Sequence, residues 1–166
     1  MTRWRLLLAL LLFGSAGVYA VTKTANPCSP EEVVVFSCSA REKIVALCAS
    51  PELSQATNSL KYRIGVAGNP PEFVYPRTRI KPAAAFRFGN YSYAKGGREQ
   101  LAFEVNDFTY TLYSEHHAFE WSGSGVVVEK RGRRIAHLSC TERTIRNNLL
   151  ELIELDLPRI ELRDLP

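Results

Sequence analysis

Four cysteines, Cys28, Cys38, Cys48 and Cys140, constrain this chain more than anything else, and the residues before them decide their chemistry. Arg3 and Arg5 form a positive head, 6–13 an apolar core, and Val18-Tyr19-Ala20 a small-x-small cleavage site. The apolar core is too short to span a bilayer and no stop-transfer segment follows. Residues 1–20 therefore read as a cleavable secretory signal, with one disulfide-stapled domain over 21–166. A chain exported this way folds where thiols oxidise, so an even cysteine count predicts two disulfides among three possible connectivities. No C-x-x-C pair is present, which argues against thiol-oxidoreductase and zinc-ribbon chemistry. Cys28 lies several residues past the cleavage site, so a soluble product is expected rather than a lipid-anchored one.

Length and charge narrow the class further. About 146 residues remain after cleavage, the size of one ordinary domain with its own core. Arg3 and Arg5 supply two of the four net positive charges and leave with the leader. The remaining +2 is too small to suggest nucleic acid or an anionic membrane surface as partner.

The pattern is one of strands. Residues 33–39 and 43–48 are β-branched and apolar runs around Ala40-Arg41-Glu42, a hairpin signal. Ser50-Pro51-Glu52-Leu53 is suited to open a helical turn. Leu60, Tyr62 and Ile64 alternate with Lys61 and Arg63, predicting one buried and one wet face. Gly68-Asn69-Pro70-Pro71 forces a turn, and 77–84 reads as a basic, proline-containing loop. Phe86–Phe88 and Tyr91–Tyr93 predict a strand with an irregularity at Gly89-Asn90, and Gly96-Gly97 a turn. Leu101, Phe103 and Val105, the pair Asn106-Asp107, then Phe108, Tyr110 and Leu112 give the clearest hairpin. A third hairpin turns at Arg131-Gly132-Arg133. Past Thr141, a suitable helix cap, Ile145, Leu149, Leu150 and Ile153 fall at helical spacing. The expectation is an all-β antiparallel meander of about eight strands, a small barrel or sandwich, with one C-terminal α-helix.

Strand parity bears on the disulfides. Val34, Phe36 and Cys38 share one predicted face, and so do Ala136, Leu138 and Cys140. Both faces are apolar, so Cys38 and Cys140 can meet in the core, and closing that loop is worth about 4 to 5 kcal/mol in the chain-entropy model. With a four-residue turn over 40–43, Cys48 points away from Cys38 and Cys28 becomes its partner. A three- or five-residue turn puts Cys38 and Cys48 on one face instead.

Several motifs invite chemistry and favour plainer readings. Glu115-His116-His117 with Glu120 has metal-ligand character, but adjacent strand histidines point to opposite faces, and the cluster reads as a hairpin loop. His137 falls on the outer face of its strand. Ser124, in Gly123-Ser124-Gly125, lacks the spacing and context of a nucleophile elbow. Lys130, Arg131, Arg133 and Arg134 surround a turn, where like charges blunt edge pairing. Tyr91, Tyr93, Tyr110 and Tyr113 with Phe86 and Phe88 offer a stacking surface, though alternation assigns most of them to the core. Asn90-Tyr91-Ser92 matches a glycosylation sequon. No catalytic residue, metal centre or cofactor is expected.

Two resemblances follow from short motifs. Phe36-Ser37-Cys38, residues 45–50 (VALCAS), 60–65 (LKYRIG), 73–76 (FVYP) and 126–140 resemble a group of small exported proteins of Gram-negative bacteria without assigned activity. That likeness implies a periplasmic location. Phe36-Ser37-Cys38, the loop Ser122-Gly123-Ser124-Gly125 and Cys140 also resemble, in the same order, the membrane-bound and periplasmic inhibitors of c-type lysozyme. These are small antiparallel barrels with an aromatic-x-Cys, an S-G-x-x-Y loop and a late cysteine bonded to the early one. The resemblance implies that Ser122, Ser124 and Lys130 form a binding loop for an enzyme cleft. Val128 stands where that family has tyrosine, and its tryptophan-x-lysine-glycine signature is missing. The function expected is a periplasmic or secreted binding module for a protein or cell-wall partner. An envelope enzyme acting on saccharide or peptide, and an envelope structural protein, are the alternatives.

Overall fold

The computed structural model describes residues 27–52, 59–118 and 122–165. The leader 1–20, Leu53 and Glu120 lie outside them. Ten strands form two antiparallel sheets of five. In the first, β1 (Val33–Ala40), β2 (Lys43–Ala49), β3 (Leu60–Val66) and β4 (Phe73–Tyr75) follow chain order, and β10 (Arg146–Asn147) pairs with the free side of β1. In the second, β5 (Arg87–Tyr93), β6 (Gly96–Val105), β7 (Phe108–His117), β8 (Gly123–Lys130) and β9 (Arg133–Ser139) form a meander. A four-residue helix, α1 (Pro82–Ala85), interrupts the expected 77–84 loop just before β5. The two sheets share one core and do not close into a barrel.

The core is zoned row by row. On the inner face of the second sheet Phe103, Tyr110 and Val128 stand in register, next come Leu101, Leu112, Val126 and Leu138, and then Glu99, Ser114 and Ser124. Phe36, Leu47, Tyr62 and Tyr75 oppose them from the first sheet. Phe103 stacks on Tyr75 at 4.6 Å and on Tyr110 at 4.9 Å between ring centroids, an offset-stacked column at one end of the molecule. One end is thus aromatic, the middle aliphatic and the other end polar.

Each outer face is covered by a terminal segment. Arg63 lies on the outer side of β3, where the sequence predicts a wet face, yet its side chain is mostly buried because Glu32 of the N-terminal arm pairs with it. The Cys28–Cys48 disulfide fastens the same arm to β2. Across the second sheet, residues 158–164 run as a strap. Phe88 N donates to Pro158 O at 2.9 Å, and Phe88 bridges Arg159 in parallel. Arg163 N donates to Gln100 Oε1 at 3.2 Å, and Arg98 binds Asp164 at 2.7 Å. Gly89 admits the strap: a Cβ there would lie 2.9 Å from Ile160 O.

Several expectations are corrected. The 141–157 segment is not an α-helix. Thr141 N donates to Ser39 O and Thr144 Oγ1 accepts from Ser39 N, so strand β1 claims the groups that would have begun a helix. The segment becomes a 3-10 turn (Glu142–Thr144), β10, and a 3-10 helix (Leu149–Leu155) that buries Leu149 and Leu152 three residues apart. β5 runs through Gly89-Asn90 without a bulge; the irregularities lie at Val34/Phe36 and Val128/Glu129. The first of these puts Val35, not Val34, in the core beside Phe36. Gly96 and Gly97 belong to β6, and the turn is Ala94-Lys95. His116 and His117 end strand β7 rather than forming a loop. Ser50 and Ser59 are bonded through Ser50 Oγ, which accepts from Ser59 N at 3.1 Å, and Ser50 N, which donates to Ser59 O at 3.0 Å; the helical turn expected from Ser50 runs into residues outside those described.

Candidate functional site

The polar end of the core is a hydrogen-bonded cluster over an open cleft. Glu99, Ser114 and Ser124 are directly opposed across β6, β7 and β8, and each is buried. Ser124 Oγ donates to Ser114 Oγ at 3.0 Å. From the first sheet Asn147 reaches over, its Nδ2 donating to Ser114 Oγ at 2.9 Å and to Glu99 Oε2 at 3.3 Å. Its Oδ1 accepts from Leu149 N at 3.1 Å, which fixes the amide's orientation. Ser114 Oγ thus accepts from both Ser124 and Asn147.

The cleft above this floor has a volume of about 550 Å³, within the range of small-molecule sites. Ser114, His116, Ser122, Ser124, Glu142 and Asn147 line it, with Ile145 as an apolar patch. The Cys38–Cys140 disulfide joins the sheets beside it, and Cys140 N donates to Ser124 O at 2.8 Å. Burial pushes the Glu99 carboxyl above its ordinary range, opposed by the Asn147 hydrogen bond and the charge of His116.

Of the residues picked from the sequence, Ser122 and Ser124 line this cleft and Lys130 does not. Ser124 sits within strand β8 with its hydroxyl turned into the network, not on a free loop. Ser122 is exposed and accepts from His117 N at 3.2 Å. Lys130 stands at the other end of β8, about 20 Å away at ~3.3 Å per strand residue. There its ammonium lies 5.2 Å from the Phe108 ring centroid. Arg131 of the same basic turn is bound to Asp107.

Other groups are structural. Tyr113 Oη is 2.8 Å from His137 Nε2 on the outer face, and Ser139 Oγ is 3.4 Å from the same nitrogen. Burial and then Arg134 lower the His137 pKa, and a nitrogen already engaged by tyrosine does not activate the serine. Cys28, Glu32 and Cys48 bring ligand atoms within 4.8 Å, but the sulfurs are bonded to each other and are not thiolates. A smaller hollow of about 220 Å³ between β5 and the strap is lined mainly by packing residues, including Phe88, Leu152 and Ile160.

Glu99, Ser114 and Asn147 are the cluster members that motif reading passes over. For Glu99 a signal exists: counting back by twos from Phe103 and Leu101 puts it on the same inner face. Asn147 carries none, because its role depends on β10 crossing to β1.

No protein-family model, curated protein or solved structure matches the chain. Two disulfides suggest an oxidising, extracytoplasmic compartment. Among the described residues no helix is long and apolar enough to cross a membrane.

Proposed function

We propose that this chain is a periplasmic or secreted, non-enzymatic binding module whose ligand site is the cleft over Ser114, Ser124 and Asn147. The observation that carries this reading is the change of character along the inner face, where apolar rows give way to a satisfied polar row at the open end of the sandwich. Satisfied polar networks are rigid, and a rigid floor of hydroxyl and amide groups suits recognition of a polar ligand. The cleft serines bond to one another, to Asn147 and to the His117 backbone, which favours binding over nucleophilic catalysis.

The test is amide chemical-shift mapping of the disulfide-intact chain against a library of polar small molecules. Shifts clustering at Ser114, His116, Ser122 and Asn147 are expected. A hit that leaves these signals unmoved and shifts others would overturn the assignment, as would the absence of any hit.

Inhibition of a c-type lysozyme is the protein-partner version of the same reading. Ser122 and Ser124 border the cleft, which supports it, whereas the distance to Lys130 means that Lys130 cannot enter the same enzyme pocket. Residual lysozyme activity titrated with the purified chain decides the matter, and full activity at a large molar excess removes this version.

A further inference from the structure

The outer surface at the cleft end carries an aromatic row that the core does not use. Tyr91 and Tyr93 lie on the outer face of β5 with ring centroids 5.8 Å apart, and His117 on β7 continues the row 5.9 Å from Tyr93. Tyr91 is 61% exposed, although a ring of this size on a strand ordinarily packs.

Gly96 and Gly97 join this row to the cleft. Gly96 stands opposite His117 and Gly97 opposite His116 in the β6–β7 register. A Cβ on Gly96 would lie 2.1 Å from His116 O and 2.8 Å from Tyr93 Oη, on the outer face. A Cβ on Gly97 would lie 2.7 Å from His116 Cε1, on the inner face. The two glycines therefore let a tyrosine ring settle on one side of the sheet and an imidazole on the other. Tyr93 Oη also reaches within 3.5 Å of His116 O, so platform and cleft meet at His116 and His117.

We propose that Tyr91, Tyr93 and His117 form a stacking platform continuous with the cleft, and that the ligand of both is an uncharged oligosaccharide. This rests on the binding reading of the cleft. A pyranose has an apolar C–H face and a rim of hydroxyl groups that both donate and accept. The exposed Tyr91 ring, with the half-buried Tyr93 and His117 rings beside it, matches the former, and Ser122, His116 and Glu142 match the latter. Glu142 and the buried Glu99 disfavour a polyanionic chain. A peptide adding to the sheet would need the β5 edge, where Phe88 is already bridged to Arg159.

The test is binding of cellohexaose, chitohexaose and maltohexaose to the disulfide-intact chain by calorimetry, with saturation-transfer NMR to find the protons touched. Binding of at least one is expected, with transfer from tyrosine rings to sugar C–H protons. Tyr91→Ala should weaken it about tenfold, while Tyr91→Phe should retain it. His116→Ala and Glu142→Gln should each weaken it as well. Binding that falls with the cleft substitutions but ignores Tyr91→Ala overturns the platform and leaves the cleft reading standing. Binding that falls with Tyr91→Ala alone overturns the continuity and the cleft reading together. No binding of any of the three, or preference for an oligouronate of equal length, overturns the choice of ligand; amide mapping against other polar molecules then decides the cleft reading separately.

Discussion

Arg63 and Glu32 face each other in a two-contact ion pair on the outer side of the first sheet, each side chain little more than a tenth exposed. Burial works against the Glu32 charge, but hydrogen bonds from Arg63 and from the Ser29 backbone and hydroxyl hold its pKa down to about 2. A carboxylate depressed in the folded state stabilises above its unfolded pKa, and that stability disappears as pH falls through the folded value. Urea midpoints should therefore drop between about pH 4.5 and pH 2, and Glu32→Gln should remove much of that dependence. At pH 7 the substitution should cost about 2 kcal/mol, the worth of a charge-assisted hydrogen-bonded pair.

Glu99 behaves in the opposite sense. Its folded pKa is raised, so the native state binds a proton that the unfolded chain releases, and stability declines as pH rises through the raised value. Glu99→Gln keeps the bulk and the acceptor for Asn147 while removing the charge. The thermal midpoint of this variant should exceed that of the parent at pH 8, and the two should converge at pH 4. An unchanged difference across that range would contradict the assignment.

Ser114 holds the polar row together by accepting from both Ser124 and Asn147. Ser114→Ala leaves the buried Ser124 hydroxyl without its acceptor and takes one of two acceptors from the exposed Asn147 amide, and about 1 to 3 kcal/mol of stability should be lost. Ser124→Ala removes one donor and should cost less. Denaturant titration of both variants ranks them.

Strap and sheet depend on one another. Gly89→Val puts side-chain atoms where Ile160 O and the Leu162 side chain now lie. Amides of 158–164 should then exchange with solvent much faster, along with the Gln100 side chain that Arg163 holds. The Phe103 and Leu112 amides should remain protected. Loss of protection throughout would mean that the strap is integral to the fold rather than laid over it.

Much of this architecture follows from alternation and turn chemistry. Val105 pairs with Phe108 around Asn106-Asp107, and Lys130 with Arg133 around Arg131-Gly132, because short turns with left-handed residues match the twist of the strands they join. Parity places Phe36, Cys38, Leu138 and Leu101 in the core for the same reason. The misreadings arise where tertiary partners outweigh local pattern. Ile145, Leu149 and Ile153 keep helical spacing, yet β1 has an unpaired edge, and satisfying its backbone groups outweighs one helix. Arg63 looks solvated until an arm thirty-one residues earlier supplies its carboxylate. Gly96-Gly97 reads as a turn because the local code cannot distinguish a glycine that bends the chain from one that makes room for a ring. In the cleft, Ser122 and Ser124 are legible from their motif and Glu99 from its parity, whereas Asn147 needs the crossover.

The first hairpin also bears on the order in which the molecule is made. Cys28, Cys38 and Cys48 all emerge long before Cys140, which lies 102 residues beyond its partner Cys38. For that interval three thiols share one short stretch of chain, and chemistry alone does not tell the oxidant which two to join. Because Ala40 pairs with Lys43, the hairpin turns Cys38 toward the future core and Cys48 toward the arm that carries Cys28. A two-residue turn thus sorts the cysteines by face, so that the folded hairpin offers Cys38 to Cys140 and Cys48 to Cys28.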